Sequence, residues 1–402
     1  MILELLISLA LGIISGIFTG ITPGIHVNLV SVLVLSFSSV LLQITSPLIL
    51  AVYIISLAIT HTFLDSLPSI YLGAPDEAQA LNVLPGHRLL QKGLGHQAIV
   101  YTLIGSYGSL LLSIILFPLF VISMKLIAPV IEQWIGYLLI AVMAYMIFRE
   151  KKKWLKSLGV FLLSGALGLV VLSGIPNLKQ PLFPLLSGLF GFSILIVSLS
   201  KKSAIPQQIA DSKLTISNKN IGKSVSAATG VGFLAAFLPG FGSSQAAIVA
   251  TNVVGDLGDE GFLSLVGGIN TANMLISIAT IYILDKARNG AIVVVDKLAP
   301  DIGLPEVLLF LGTALVAGGI SVILTLRLSR LFSKLIVKVN YLKLVLSIIG
   351  FITLLTFYFD GILGLLILIT AAAIGLVTSY LGVGKNHLMG CLIVPVILYF
   401  IL

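Results

Sequence analysis

The sequence predicts an all-α polytopic membrane protein made of two inverted-topology repeats. Each repeat is expected to hold a helical hairpin broken at a Pro-Gly pair, full-length or re-entrant, plus about five further transmembrane helices. Three observations carry this expectation. Apolar residues make up 58% of the 402 residues and charged ones 9%, with a mean hydropathy of +1.16, whereas soluble domains carry about 25% charged residues. The break is duplicated: Gly16, Pro23 and Gly24 stand at the same mutual spacing as Gly232, Pro239 and Gly240. Three basic clusters then fix which ends of the apolar segments face the cytoplasm.

In chain order, the first apolar stretch runs from about 2 to 21. Glu4 stands where a secretory leader would carry positive charge, so the stretch reads as a retained helix. Stretches at about 27 to 44 and 48 to 72 follow the first break, and those at about 97 to 125, 131 to 148, 156 to 174 and 182 to 200 complete the first half. The polar run from Lys201 to Lys223 reads as a cytoplasmic linker, 201–223, between membrane repeat 1 (1–200) and membrane repeat 2 (224–402). Apolar stretches resume at about 225 to 238, 242 to 255, 262 to 284, 303 to 326, 341 to 358, 362 to 380 and 386 to 402. At about 20 residues per crossing, this leaves room for roughly a dozen crossings and for no separate soluble domain.

The basic clusters are Arg149, Lys151, Lys152, Lys153 and Lys156; Lys201, Lys202, Lys213, Lys219 and Lys223; and Arg327, Arg330, Lys334 and Lys338. All three fit the cytoplasmic side. Counting back puts the N-terminus outside and gives each repeat an odd number of crossings, so the second repeat starts on the opposite side. These clusters account for the net charge of +8 without a nucleic-acid-binding face. The single cysteine, Cys391, excludes intrachain disulfides and cysteine-built metal sites. The five histidines show no metal-ligand spacing, and no cofactor is expected beyond a coupling ion.

At each Pro-Gly the preceding helix must stop, because proline lacks an N–H and glycine permits the turn. Non-helical backbone at membrane depth is tolerated only against protein or a wet cavity. A helix restarting after the break aims its first N–H groups and positive dipole end at that cavity, which suits an anion. Candidate substrate-binding residues are therefore Thr22, Pro23, Gly24, His26 and Asn28 in one half and Pro239, Gly240, Ser243 and Ser244 in the other. Asn270, Thr271 and Asn273 join them: the two asparagines, three apart, line a sodium or substrate site or hold helices together. Ionisable residues inside spans are costly and point to function, so His61, Asp65 and Asp76 are the ion-coupling candidates. Gly12, Gly16 and Gly20 fit close helix packing. Asp256, Asp259 and Glu260 read as a solvated loop, as do Asp285, Lys286 and Arg288.

The run from Leu72-Gly73-Ala74-Pro75-Asp76-Glu77-Ala78 through Pro85-Gly86-His87-Arg88 to Lys92-Gly93 resembles the large membrane subunit of the tripartite tricarboxylate transporters, the TctA-like permeases. Phe237-Leu238-Pro239-Gly240 and Gly268-Ile269-Asn270-Thr271-Ala272-Asn273 resemble that family's second break and its later asparagine-rich helix, and Gly384-Lys385-Asn386-His387 with Pro395 resembles its archaeal branch. Where the family is glycine-rich after the second break, this chain has Phe241-Gly242-Ser243-Ser244. The resemblance implies a secondary transporter of di- or tricarboxylates coupled to H+ or Na+. It also implies a periplasmic or extracellular binding protein and a small membrane subunit as partners, besides membrane lipid and the small anionic substrate; a homodimer is also compatible. The alternative is a polyprenyl-phosphate (lipid carrier) flippase, whose phosphate suits the same paired hairpins. An intramembrane aspartyl protease built on Asp65 and Asp76 lacks the required motif contexts.

Overall fold

A computed structural model describes residues 2–401 except 24, 76, 132–133, 177, 201–205, 210–212, 239–241, 285–288, 300 and 338–340. The described residues form helices joined by turns and loops, with no strand among them, and seven of the helices are long and apolar enough to cross a membrane. The elements that build the centre are α1 (Ile2–Ile21), α2 (Val27–Ser36), α3 (Pro47–Leu64), α4 (Gly95–Ile115), α5 (Asn218–Phe237), α6 (Ser243–Val254), α7 (Gly258–Leu284), α8 (Gly290–Leu298) and α9 (Leu304–Ile336). Helices Phe117–Ile131, Ile135–Arg149, Trp154–Leu169, Tyr341–Leu381 and Gly390–Ile401 complete the chain. The longest of these turns at Gly361 (φ 61, ψ −145), a backbone state essentially confined to glycine, so the two expected stretches 341 to 358 and 362 to 380 are separate arms.

The helices end where the sequence breaks. α1 stops at Ile21 and α2 starts at Val27; α5 stops at Phe237 and α6 starts at Ser243. Lipid gives apolar helices no reason to associate, so small residues must let backbones approach. Gly12 packs against Ser56, Gly16 against Thr60 and Gly20 against Leu64. That constant spacing means α1 and α3 run in the same direction, and the chain between them must turn back at the break. The second half repeats the device: Ser224 Oγ meets Ser264 Oγ at 3.0 Å, Ala228 faces Gly268, and Gly232 faces Ala272, so α5 and α7 also run the same way.

Contacts between halves set the other directions. His96 Nδ1 lies 2.9 Å from Ser329 Oγ while Leu110 lies against Gly318, so α4 and α9 are antiparallel. Phe63 also abuts Gly318, and Tyr71, just beyond α3, meets Ser333 Oγ at 2.6 Å, so α3 and α9 are parallel. Gly108 abuts Val225 and Phe120 stacks on Phe233 at 4.8 Å, so α4 and its continuation follow α5. Two three-helix blocks result, α1–α3–α9 pointing one way and α4–α5–α7 the other. Each block borrows one helix from the opposite half of the sequence. Gly105 makes the tightest approach in the second block, facing the backbone carbonyl of Ser264.

After Leu72, 77–82 is a 3-10 helix and 83–90 an α-helix. Two expectations are corrected. The linker 201–223 is shorter than expected, because Ser217 caps α5 by accepting from Asn220 N at 3.2 Å and helix begins at Asn218. Its described part is also docked, with Ile209 N donating to Gly93 O at 2.8 Å and Gln208 Oε1 accepting from Gly95 N at 2.9 Å. Asp259 and Glu260 open α7, where Asp259 pairs with Arg88 and Glu260 accepts from Thr215 at 3.2 Å.

Replacing Gly105 with valine should lower stability by about 1–3 kcal/mol through overpacking, read as a lower unfolding temperature in detergent. Gly319→Ala, at a position with open space around it, should leave that temperature unchanged.

Candidate functional site

A cavity of about 200 Å3 lies where the two breaks meet. His26, Val27 and Asn28 line it from the start of α2, and Gly242 and Ser243 from the start of α6. Asn289 and Gly290 line it from the start of α8. Three helix N-termini therefore open onto one space, and the first N–H groups of each have no partner within their own helix. His26 caps α2, its Nδ1 accepting from Asn28 N at 3.2 Å, and Asn289 caps α8, its Oδ1 accepting from Ala291 N at 3.0 Å. α2 and α8 touch: a Cβ at Gly290 would stand 2.6 Å from the Asn28 side chain, which would have to move aside to admit it.

The rest of the lining is polar too. Ala58, His61, Thr62 and Asp65 come from α3 and its end, and Asn270, Asn273 and Met274 from α7. Asp65 is 2% exposed. Its Oδ2 accepts from Asn270 Nδ2 at 2.6 Å and its Oδ1 from Gln79 Nε2 at 2.9 Å. Gln79 Oε1 accepts in turn from Asn82 Nδ2. Each amide in this chain presents N–H toward the carboxylate, so both Asp65 oxygens act as acceptors. Asn273 Nδ2 donates to Ser243 Oγ at 3.3 Å, joining α7 to the start of α6. His61 Nδ1 lies 3.1 Å from Thr19 Oγ1, and its ring meets that of His26 edge-on at 5.0 Å.

Of the residues proposed from sequence, His26, Asn28, His61, Asp65, Ser243, Asn270 and Asn273 come together around this cavity. Thr271 points elsewhere and meets Thr62 Oγ1 at 3.3 Å, holding α7 to α3. Ser244 is buried and Pro23 is buried beside half-buried Thr22; these three shape the helix ends without lining the cavity. Gly24, Asp76, Pro239 and Gly240 lie outside the described residues. Sequence reasoning missed Gln79, Asn82, Asn289 and Gly290. Asn289-Gly290 ahead of an apolar helix is a cap signature, and Gln79 and Asn82 stand three apart on one helical face; neither pattern says which cavity it serves.

A multi-pass helical membrane protein with a polar cavity enclosed by helix ends at its centre has the build of a membrane transport protein. The chain belongs to the tripartite tricarboxylate transporter TctA family, whose model matches residues 6–390. It is also similar to an uncharacterized protein of Methanocaldococcus jannaschii, 30% identical over 98% of this chain and 99% of that protein. No solved structure matches.

Removing Asn270 takes a 2.6 Å amide donor from one oxygen of a buried carboxylate. Asn270→Ala should therefore cost roughly 1.5–3 kcal/mol, read as a drop in unfolding temperature, whereas Asn273→Ala, which removes one long hydrogen bond, should cost less than about 1 kcal/mol.

Proposed function

We propose that the protein is a secondary active transporter of small carboxylates, di- or tricarboxylate-like anions, coupled to H+ or Na+. The observation that carries this reading is the convergence of three helix N-termini on one small cavity. Oriented N–H groups and neutral side chains (Asn28, Ser243 and Asn273) bind carboxylate oxygens without the tight grip of a buried cation, and transport requires release as well as binding. The cavity volume of about 200 Å3 lies below the range of drug-sized pockets, about 300–1,000 Å3, and fits a small anion better than a polyprenyl phosphate. Asp65 supplies negative charge on the far wall, where a co-transported cation balances it.

Repeat 1 (1–200) and repeat 2 (224–402), joined by the linker 201–223, form an inverted pair in this reading. The opposed directions of the matching helices support it, α1 against α5, α3 against α7 and α4 against α9. Alternating access then follows from exchanging the conformations of the two halves around the fixed site. The basic clusters put the linker in the cytoplasm and the N-terminus outside. A binding protein that delivers the anion and a small membrane subunit are the partners the family scheme supplies.

Uptake of labelled citrate and succinate into proteoliposomes under a proton or a sodium gradient tests this. Uptake driven by one gradient is expected, and Asn28→Ala or Ser243→Ala should weaken apparent affinity roughly tenfold, the effect of one hydrogen bond to a charged group. No movement of either acid under either gradient, in folded protein, would sink the reading.

A further inference from the structure

We propose that a second pocket, beside Arg149, is an outer station for the transported anion, divided from the central cavity by a wall made of α6 and the 3-10 helix 77–82. This rests on the reading of the central cavity as an anion site.

The second pocket holds about 330 Å3, and two elements run between it and the centre. α6 starts at the central cavity with Ser243, while Ile248 and Thr251 further along it line the second pocket. From Ser243 to Thr251 is about 12 Å of helix. The 3-10 helix 77–82 is shared in the same way: Ala78 lines the central cavity and Leu81 the second pocket. One element from each half of the chain therefore has a cavity at either end, and the anion passes from one cavity to the other when the two elements part.

The donors in the second pocket are brought together by a contact between distant segments. His387 Nε2 lies 3.4 Å from Glu150 Oε1, and the residues beside that pair, Arg149 and Asn386, line the pocket together. The segment carrying Asn386 is held further by Lys385 Nζ donating to Ser193 Oγ at 2.7 Å and Ser164 Oγ donating to His387 O at 3.3 Å. Glu150 is thus engaged by His387, and the Arg149 side chain makes no hydrogen bond or ion pair among the described residues. A guanidinium without a carboxylate partner, beside a neutral amide, matches the two oxygens of a carboxylate. Buried Met146 and Leu257 give the carbon skeleton of a small acid an apolar floor. Asp256 also lines the pocket, with its Oδ1 accepting from Gly258 N at 2.9 Å. Its negative charge keeps the hold on an anion loose, as a place of passage requires. Arg149, Gly255 and Asp256 are exposed, so the pocket opens at the surface, and exposed Lys151, Lys152 and Lys153 beside it concentrate anions there.

Thr251→Cys puts a reporter thiol in this pocket, while native Cys391 is 0% exposed and out of reach of a charged reagent. Labelling of the detergent-purified full chain by a charged methanethiosulfonate, read by mass spectrometry, is followed against citrate and succinate concentration. Either acid should slow the labelling. Arg149→Gln should raise the half-protecting concentration about tenfold or more, the loss of a charge-assisted contact, and Ser243→Ala should leave it unchanged. Absence of protection, a half-protecting concentration that Arg149→Gln does not move, or one that Ser243→Ala moves equally overturns the outer station. Calorimetric titration of the same acids into the wild type and Ser243→Ala reads the central cavity separately. Binding that Ser243→Ala weakens, without protection of Thr251→Cys, overturns the outer station alone; neither binding nor protection overturns the central anion site with it. If Thr251→Cys does not fold, Asp256→Cys, at an exposed position on the same pocket, carries the same assay.

Discussion

The structure depends on one constraint: peptide N–H groups in a membrane must find partners inside the protein. A helix broken at mid-depth exposes the last carbonyls of one segment and the first amides of the next, and these survive only around a shared polar space. α1 ends at Ile21 and α5 at Phe237, α2 starts at Val27, α6 at Ser243 and α8 at Gly290, and these three starts face the same cavity. The polar side chains that line this cavity, Asp65, Asn270 and Asn273 among them, are arranged around these ends. The side chains that cap them, His26 and Asn289, are also the side chains a ligand would meet.

Electrostatic balance follows from that arrangement. Three positive helix ends on one side would make a strong anion trap, but buried Asp65 offsets them across the cavity. Its carboxylate is tolerated because Asn270 and Gln79 replace the water it has lost. Because Asn270 reaches Asp65 from the other half of the chain, the carboxylate gains this amide donor only once both halves are assembled.

Much of this was legible in the sequence, and the parts that were not share a cause. Matched spacing revealed the breaks, and polarity inside apolar runs marked Asp65, Asn270 and Asn273. Asn270 and Asn273 are three apart and share a face, whereas Thr271 is rotated by about 100° from its neighbour on a helix and so meets Thr62 instead. Gln79 and Asn82 were missed because they lie in a short 3-10 helix, which has no long apolar period to announce it. The pairing of α3 with α9 and of α4 with α7 was not legible. Small residues announce close packing without naming the partner.

That exchange of helices between blocks bears on how the protein is made. Block α1–α3–α9 waits for a helix that begins at Leu304, and α4 has no α5 or α7 to pack on until the second half exists. The first half therefore leaves the ribosome with two unfinished seams, the glycine face of α4 among them, and cannot complete its own fold. Assembly is dominated by contacts between residues distant in sequence, the kind that form slowly, so the nascent chain must be kept from wrong partners until its last long helices arrive.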